Sequence, residues 1–162
     1  MTNEKHNLVF IVEDNDIYSL MLDYTLSNDS ICRIMSFKTG EECISNLHLN
    51  PMMIILDYSL PGIDGMETFL EIKKYNLEIP VVILTANHDM KIARKFLNAG
   101  VYDFLEKEEN AVAQIEHLIN TVIKRCEERE FEMENTITHR RVAAGLLFFT
   151  VIIIVTIYLM AS

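Results

Sequence analysis

Five short apolar runs, rich in β-branched residues, alternate with stretches of helical spacing, and this alternation constrains the fold more than any other feature of the chain. The runs are Leu8–Val12, Ile31–Phe37, Met52–Leu56, Val81–Leu84 and Val101–Leu105. Three of them are apolar throughout, which is typical of parallel strands covered on both faces. Helical spacing is seen between the runs at Ile17, Leu20, Met21 and Tyr24, and again at Ile92, Phe96 and Ala99. Strands that alternate with helices predict an open α/β sheet.

Residues that favour turns and helix ends lie between these predicted elements. Asp14 and Asn15 offer N-cap side chains after the first strand, and Gly100 suits a left-handed backbone before the fifth. Pro61-Gly62 interrupts the chain after the third strand. These residues therefore support the boundaries that the apolar runs predict.

A fifth helix is predicted after the last strand, followed by a strongly charged segment. The apolar positions of this helix are Val112, Ile115, Leu118, Ile119, Val122 and Ile123. In the charged segment a loose heptad of Ile123, Cys126, Met133 and Ile137 is interrupted by Glu130. Residues 126–141 are therefore predicted to form a solvated helical linker rather than a coiled coil.

Polar side chains that can bind a ligand or take part in a reaction follow the predicted strands at their carboxyl ends. Glu13 and Asp14 follow the first strand, Asp57 ends the third, Thr85 ends the fourth, and Lys107 comes just after the fifth. In an open parallel sheet the functional crevice lies beyond these ends. We therefore expect the five side chains to meet there.

Each of these residues also has a purely structural interpretation. Asp14 could cap the first helix, Thr85 could be an ordinary strand-end hydroxyl, and Lys107 could be a solvated charge in an acidic stretch. Asp57 is harder to explain in this way, because a carboxylate at the end of a buried strand needs a partner. The occurrence of all five together favours the functional interpretation.

The region from about Leu8 to Ile123 resembles the receiver domains of two-component response regulators. The most specific part is Asp57-Tyr-Ser-Leu-Pro-Gly-Ile-Asp-Gly65, and the stretch Gly-Val-Tyr-Asp-Phe-Leu-Glu-Lys107 adds an independent match. The resemblance implies a doubly wound (βα)5 flavodoxin-like parallel sheet with strand order 2-1-3-4-5, formed by residues 1–125. It also implies that Asp57 is the phosphoacceptor.

Three crowded carboxylates repel one another unless a cation lies among them, and Mg²⁺ suits a site of oxygen ligands. We expect Asp14, Asp57 and the main-chain carbonyl of Ser59 to bind Mg²⁺ directly and Glu13 to bind it through water. Mg²⁺ would neutralise charge while a carboxylate oxygen of Asp57 attacks phosphorus.

Three further residues are expected to act on the phosphoryl group or to report its presence. Lys107 and the Thr85 hydroxyl would hold its oxygens. Phe104 occupies the aromatic switch position that the resemblance implies, and it is also explained as a core aromatic of the fifth strand. Glu108 departs from the family pattern, which has proline after the lysine, often with a cis peptide bond. A trans bond is predicted here, because a cis bond before a non-proline residue costs roughly 2.5–4 kcal/mol.

The segment Val142–Met160 contains no charged residue, and twelve of its nineteen residues are Leu, Ile, Val or Phe. As a helix it would be about 28 Å long, close to the thickness of the bilayer hydrocarbon. We therefore predict one transmembrane helix rather than a buried core helix. Arg140 and Arg141 precede it, so the positive-inside rule predicts that the receiver domain faces the cytoplasm. The chain is thus expected to be a single-pass protein of the inner membrane.

Composition narrows the choice of partners. The formal charge of −10 argues against nucleic acid, which is bound mainly through Lys and Arg. No secretory signal peptide is expected, because the first apolar run ends at Glu13 after five residues. The three cysteines show no close-spaced pair that would indicate a metal or redox site.

The function that we expect is that of a receiver that takes a phosphoryl group from a histidine kinase or a histidine phosphotransfer protein. Its target would be another protein at the membrane. The chain would not be an enzyme, since the only reactions that it catalyses would be its own phosphorylation and dephosphorylation. Two alternatives stay open, namely a constitutive docking or scaffold domain with a vestigial site, and a phosphate sink. The intact set of site residues favours phosphorylation, and Glu108 alone favours a vestigial site.

Overall fold

The computed structural model describes residues 7–27, 32–86 and 90–161. In these ranges five strands alternate with five helices along the chain. The strands are β1 (Leu8–Val12), β2 (Arg33–Phe37), β3 (Met53–Asp57), β4 (Val81–Thr85) and β5 (Asp103–Glu106). The helices are α1 (Asp16–Ser27), α2 (Gly40–Ser45), α3 (Gly65–Tyr75), α4 (Met90–Asn98) and α5 (Ala111–Ala161), with a 3-10 turn at Leu47–Leu49. All five predicted strands are present, and Ile31 of the second run lies outside the described residues.

The five strands form one parallel sheet in the order β2-β1-β3-β4-β5, which confirms the predicted topology. Every residue of the three central strands β1, β3 and β4 is buried, whereas the edge strands β2 and β5 are partly exposed. The central strands contain the three runs that are apolar throughout. Continuous apolar sequence thus marks the strands that are covered on both faces.

Alternate residues of β1 are buried on opposite faces of the sheet. Phe10 belongs to a cluster that includes Phe69 of α3 and Phe96 of α4. Val9 and Ile11 alternate with Phe10 along the strand and are also buried. The sheet is therefore a middle layer between two helical layers, and its loops lie at its two ends.

Helix α1 forms where the spacing predicted it, but its apolar stripe is not its buried face. Ile17 is 82% exposed, and Leu20 and Tyr24 are also largely exposed, whereas Leu22 and Leu26 are buried. Periodicity indicates a helix, but a helix with two apolar faces does not show which one meets the core.

Residue contacts divide the chain into two units, Met1–Val122 and Ile123–Ser162, and α5 contributes to both. In the first unit Ile115, Ile119 and Val122 are buried, as the predicted amphipathic stripe requires. In the second unit the predicted linker is helical, and large side chains such as Phe131 are exposed.

The predicted membrane span is not supported by the structure. Within the part of the chain that the structure describes, no helix combines the length and hydropathy that a membrane span requires. Several side chains of the predicted span lie outside the described part, namely those of Gly145, Phe148, Phe149, Val151, Ile154, Val155, Ile157 and Tyr158. The span therefore stays a prediction from the sequence.

Candidate functional site: an acidic crevice at the carboxyl end of the sheet

The strand order brings carboxylates from distant parts of the chain together. Val12 pairs with Leu56 in the β1–β3 register, so Glu13 and Asp57, which follow them, lie side by side at the same edge of the sheet. Oxygens of Glu13, Asp14 and Asp57 lie within 4.8 Å of one another. We call these three carboxylates, together with Lys107, the acidic crevice.

The loop after β3 is held close to Asp57 by main-chain contacts. The amide of Tyr58 donates to the carbonyl of Leu84 at 2.8 Å, and the amide of Gly65 donates to the carbonyl of Tyr58 at 3.0 Å. A Cβ at Gly65 would lie 2.6 Å from the carbonyl oxygen of Asp57, so only glycine permits this approach. Ser59 is exposed at the start of this loop.

The three carboxylates differ in burial. Glu13 is 1% exposed and Asp57 is 3% exposed, whereas Asp14 is open to solvent. The structural interpretation of Asp14 as the cap of α1 is wrong, because the Asn15 side chain accepts the amide hydrogens of Ile17 and Tyr18 at 3.0 Å. Asp14 therefore presents an exposed carboxylate at the mouth of the crevice.

Lys107 is the cation of the acidic crevice. Its Nζ lies 2.6 Å from Glu13 Oε2 and 3.0 Å from Asp57 Oδ2, and its side chain is only 14% exposed. Its backbone amide donates to the carbonyl of Thr85 at 2.7 Å, which joins the ends of β4 and β5. The interpretation of Lys107 as a solvated charge is therefore wrong.

The departure at Glu108 does not keep Lys107 from the crevice. The described residues contain no cis peptide bond, so the bond before Glu108 is trans, as predicted. The amide of Glu108 donates to the carbonyl of Glu106 at 2.8 Å, which makes a tight turn around Lys107. The lysine side chain reaches Asp57 from this trans loop.

Burial and charge shift the pKa values inside the crevice. Burial raises the pKa of Glu13, and the charge of Asp57 raises it further, while Lys107 acts in the opposite direction. Burial lowers the pKa of Lys107, but its contacts with Glu13 and Asp57 outweigh this effect and raise it. Lys107 therefore stays protonated at neutral pH, and its ammonium contacts two of the three carboxyl groups.

These residues fit a hard divalent cation. Glu13 Oε2 is buried and, within the described ranges, has no well-directed hydrogen-bond partner apart from its ion pair with Lys107. Such an oxygen can accept a hydrogen bond from a water bound to a metal ion. Asp14 and Asp57 offer two further carboxylates, which is the number that Mg²⁺ commonly takes from a protein.

Thr85 and Phe104 lie on the last two strands, β4 and β5. Thr85 is buried at the end of β4. The Phe104 ring contacts Phe96 of α4 at a centroid distance of 6.0 Å, and Phe104 lines a surface cavity of about 240 Å³ with Met90 and Ala93. Phe104 thus takes part in the core, and it also borders a space between α4 and β5.

One residue of the crevice was missed by the sequence analysis. The ring centroid of Tyr18, in the first turns of α1, lies 4.8 Å from Lys107 Nζ. The Tyr18 hydroxyl is buried and has no hydrogen-bond partner among the residues that the structure describes, and burial raises its pKa. Tyr18 lies off the apolar stripe predicted for α1, but it precedes the buried Leu22 and Leu26 by four and eight residues, so helical spacing could have placed it on the buried face. A second signal in the sequence is its position soon after the acidic pair.

Comparison with protein families gives one match over most of the chain. Residues 9–120 match the model of the response regulator receiver domain. The matched region runs from β1 into α5 and includes every residue of the acidic crevice.

Individual proteins agree with this match. The DNA-binding transcriptional regulator NtrC of Salmonella typhimurium is 26% identical over 83% of this chain and 29% of its own length. The C4-dicarboxylate transport transcriptional regulatory protein DctD of Pseudomonas aeruginosa is 33% identical over 52% of this chain and 18% of its own length. The chain thus spans less than a third of either relative.

Solved structures show the same fold. The signal receiver domain of a LuxO repressor protein from Vibrio parahaemolyticus superposes with a TM-score of 0.70 at 25% identity, covering 78% of this chain and 96% of that one. The phosphorylated cyanobacterial phytochrome response regulator RcpA superposes with a TM-score of 0.61 at 26% identity, covering 72% and 91%.

Proposed function

Because the chain belongs to the response regulator receiver family, we propose that it accepts a phosphoryl group on Asp57 from a phosphohistidine. The observation that supports this most directly is the contact of Lys107 Nζ with Asp57 Oδ2 at 3.0 Å, at the end of a buried strand. The donor is a histidine kinase or a histidine phosphotransfer protein. RcpA, which has the same fold, is described in its phosphorylated form.

The reaction transfers one phosphoryl group between two proteins. An oxygen of Asp57 forms a bond to phosphorus in line with the breaking N–P bond of the donor. The bonding electron pair stays on the imidazole nitrogen, which takes up a proton, and Asp57 becomes an acyl phosphate. Hydrolysis later restores the carboxylate and releases phosphate. The chain catalyses only these reactions of its own side chain.

Residues of the crevice hold the charges that arise. The Lys107 ammonium, now shared between Glu13 and Asp57, binds an oxygen of the transferred group together with the Thr85 hydroxyl. Asp14, Asp57 and the Ser59 carbonyl would hold Mg²⁺ directly, and Glu13 would hold it through water. When bound, Mg²⁺ supplies the positive charge that offsets the repulsion between the carboxylates and the incoming phosphoryl oxygens.

The output is a change in protein binding. Thr85 moves toward the phosphoryl group, and the Phe104 ring rotates inward. The surface formed by α4, β5 and the first turns of α5 then binds its target protein with a different affinity. That the chain binds no nucleic acid stays a prediction, which rests on the formal charge of −10. NtrC is named as DNA-binding, and this chain matches 29% of its length.

The phosphoacceptor is tested with acetyl phosphate and Mg²⁺, followed by intact-mass measurement of the full chain. The wild type should gain one acid-stable, base-labile phosphoryl adduct. Asp57→Asn should gain none, because an amide of nearly the same shape is a poor nucleophile. Asp103→Asn, on β5 outside the crevice, should behave as the wild type. Persistent label in Asp57→Asn would assign the wrong residue, and an unlabelled wild type with every donor would favour the docking domain with a vestigial site.

Attachment to the inner membrane is a separate proposal that rests on the sequence alone. Its support is the uncharged stretch Val142–Met160 after Arg140 and Arg141. The full chain should sediment with membranes and resist extraction by carbonate, while a chain ending at Arg141 should not. Protease added to sealed cells should leave the receiver domain intact. Recovery of the full chain in the supernatant without detergent would contradict the proposal.

A further inference from the structure

We infer that Tyr18 is a positioning residue for the reaction at Asp57, and that the face of its ring holds the Lys107 ammonium in the acidic crevice. This inference rests on the proposed function, since it concerns the same reaction. Nothing in the local sequence pattern marks Tyr18 for this role. It follows from the contact between α1 and the loop after β5.

The geometry is that of a cation–π contact. Lys107 Nζ lies 4.8 Å from the centroid of the Tyr18 ring, well inside the range of such contacts. The same Nζ lies 2.6 Å from Glu13 Oε2, and its side chain is 14% exposed. Attraction between a cation and a ring increases as water is excluded, so this partly buried contact is stronger than one on an open surface.

The ring limits the positions that the ammonium can take. A lysine side chain is a flexible four-carbon stem that ends in a point charge. Glu106, Glu108 and Glu109 surround Lys107 in the sequence and offer alternative partners near the solvent. With the carboxylates and the Tyr18 ring as its neighbours in the crevice, the ammonium is kept within reach of Asp57.

The start of α1 fixes the position of the ring. The amide of Tyr18 donates to Asn15 Oδ1 at 3.0 Å, and the amide of Asn15 donates to Glu13 Oε1 at 3.2 Å. These bonds connect the ring-bearing turn to the carboxylate that pairs with Lys107. The ring makes the contact with Lys107, and among the described residues the buried Tyr18 hydroxyl has no hydrogen-bond partner.

The contact also suits a charge that must change partners. When Asp57 becomes an acyl phosphate, the Lys107 ammonium turns from the carboxylate oxygen to a phosphoryl oxygen. Attraction to a ring face depends on distance more than on the direction of any one N–H bond. Tyr18 therefore supports Lys107 both before and after the transfer.

The kinetic test compares Tyr18→Phe and Tyr18→Leu in the full chain, phosphorylated with acetyl phosphate and Mg²⁺. Tyr18→Phe keeps the ring and should react within about twofold of the wild type. Tyr18→Leu should react about fivefold more slowly, which corresponds to about 1 kcal/mol. In a Lys107→Ala chain, Tyr18→Leu should cause no further slowing, because Tyr18 acts through the ammonium. Thermal unfolding checks that each variant is folded, and Tyr18→Met replaces Tyr18→Leu if the latter is not.

A spectroscopic test needs neither phosphodonor nor Mg²⁺. The ring current of Tyr18 should shift the ε-CH₂ protons of Lys107 upfield in the wild type and in Tyr18→Phe, and the shift should vanish in Tyr18→Leu. Absence of the shift in the wild type would overturn the inference. So would a Tyr18→Phe chain as slow as Tyr18→Leu, or equal slowing by Tyr18→Leu with and without Lys107.

The outcomes separate the two proposals. A wild type that is phosphorylated while Tyr18→Leu reacts equally fast overturns only the role of Tyr18. A wild type that gains no adduct overturns the proposed function, and the role of Tyr18 falls with it.

Discussion

Helix α5 is one continuous helix, yet it lies in two different environments on either side of Val122. Before that point it buries Ala111, Ile115 and Ile119 against the rest of its unit. After it, side chains form hydrogen bonds to the backbone of the same helix, such as the bond from Thr136 Oγ1 to the carbonyl of Glu132 at 2.8 Å. The first part is stabilised by tertiary packing, and the second by local bonds, which on their own give marginal helices in water.

Charged side chains also differ in environment between the two units. Lys107, which precedes the helix, is 14% exposed and is shared by two buried carboxylates. Lys124, in the second unit, lies 3.9 Å from Glu128 with both side chains mostly in solvent. Exposed pairs contribute little because water screens them. Burial is therefore what allows one unit to concentrate charge into a reactive site.

The largest expected difference is in thiol reactivity. Burial raises the pKa of Cys43 to about 12, whereas Cys126 lies partly exposed in the second unit. At pH 8 iodoacetamide should label Cys43 at least about a thousandfold more slowly than Cys126, since the thiolate is the reacting form. Peptide mass mapping over time measures both rates, and in denaturant the two should become equal. Comparable rates in the native chain would contradict the burial of Cys43.

Two isoleucines of α5 provide a matched pair for stability. Ile115 is fully buried in the first unit, and Ile137 is 50% exposed in the second. Ile115→Ala should lower the free energy of unfolding by about 2–5 kcal/mol, because it removes buried methyl groups and leaves a cavity. Ile137→Ala should change it by less than about 0.5 kcal/mol. Urea unfolding measures both values, and equal losses would show that the second unit is packed as well.

Mg²⁺ should stabilise only the unit that carries the acidic crevice. At a hundred times its dissociation constant the ion should add about 2.7 kcal/mol to the free energy of unfolding. Asp14→Ala should remove most of this gain, whereas Glu128→Ala, which removes an exposed carboxylate of the second unit, should leave it intact. The free energy of unfolding of the wild type and of both variants, measured with Mg²⁺ and with EDTA, tests this prediction. An equal gain in all three chains would place the ion elsewhere.

The smallest expected difference concerns local hydrogen bonds. Asp64 caps α3 by accepting the amide hydrogen of Glu67 at 2.8 Å. Asp64→Ala should lower the free energy of unfolding by about 1 kcal/mol. Thr136→Ala removes a bond of the same length in the second unit and should change the free energy by less than about 0.5 kcal/mol. A larger loss for Thr136→Ala would show that its helix segment is coupled to global unfolding.

Much of the fold could be predicted from the sequence because its signals are local. The apolar runs at Leu8–Val12 and Val81–Leu84 form the central strands β1 and β4, and Gly100 adopts a left-handed backbone with a φ of 83°. These patterns depend on the nearest neighbours in the chain. The buried face of α1 could not be predicted, because both Ile17 and Leu22 belong to plausible apolar stripes and the core is covered by only one of them.

The candidate site, like the fold, could be predicted only in part from the sequence. The sequence by itself determined which residue types follow which strands, since Glu13 and Asp57 directly follow apolar runs and Lys107 comes two residues after one. Only the tertiary structure decided that Glu13 is buried against Lys107 and that the Tyr18 ring lies beside the ammonium. The physical reason is that these contacts join segments far apart in the chain. Their distances depend on strand order and helix packing, which no local pattern encodes.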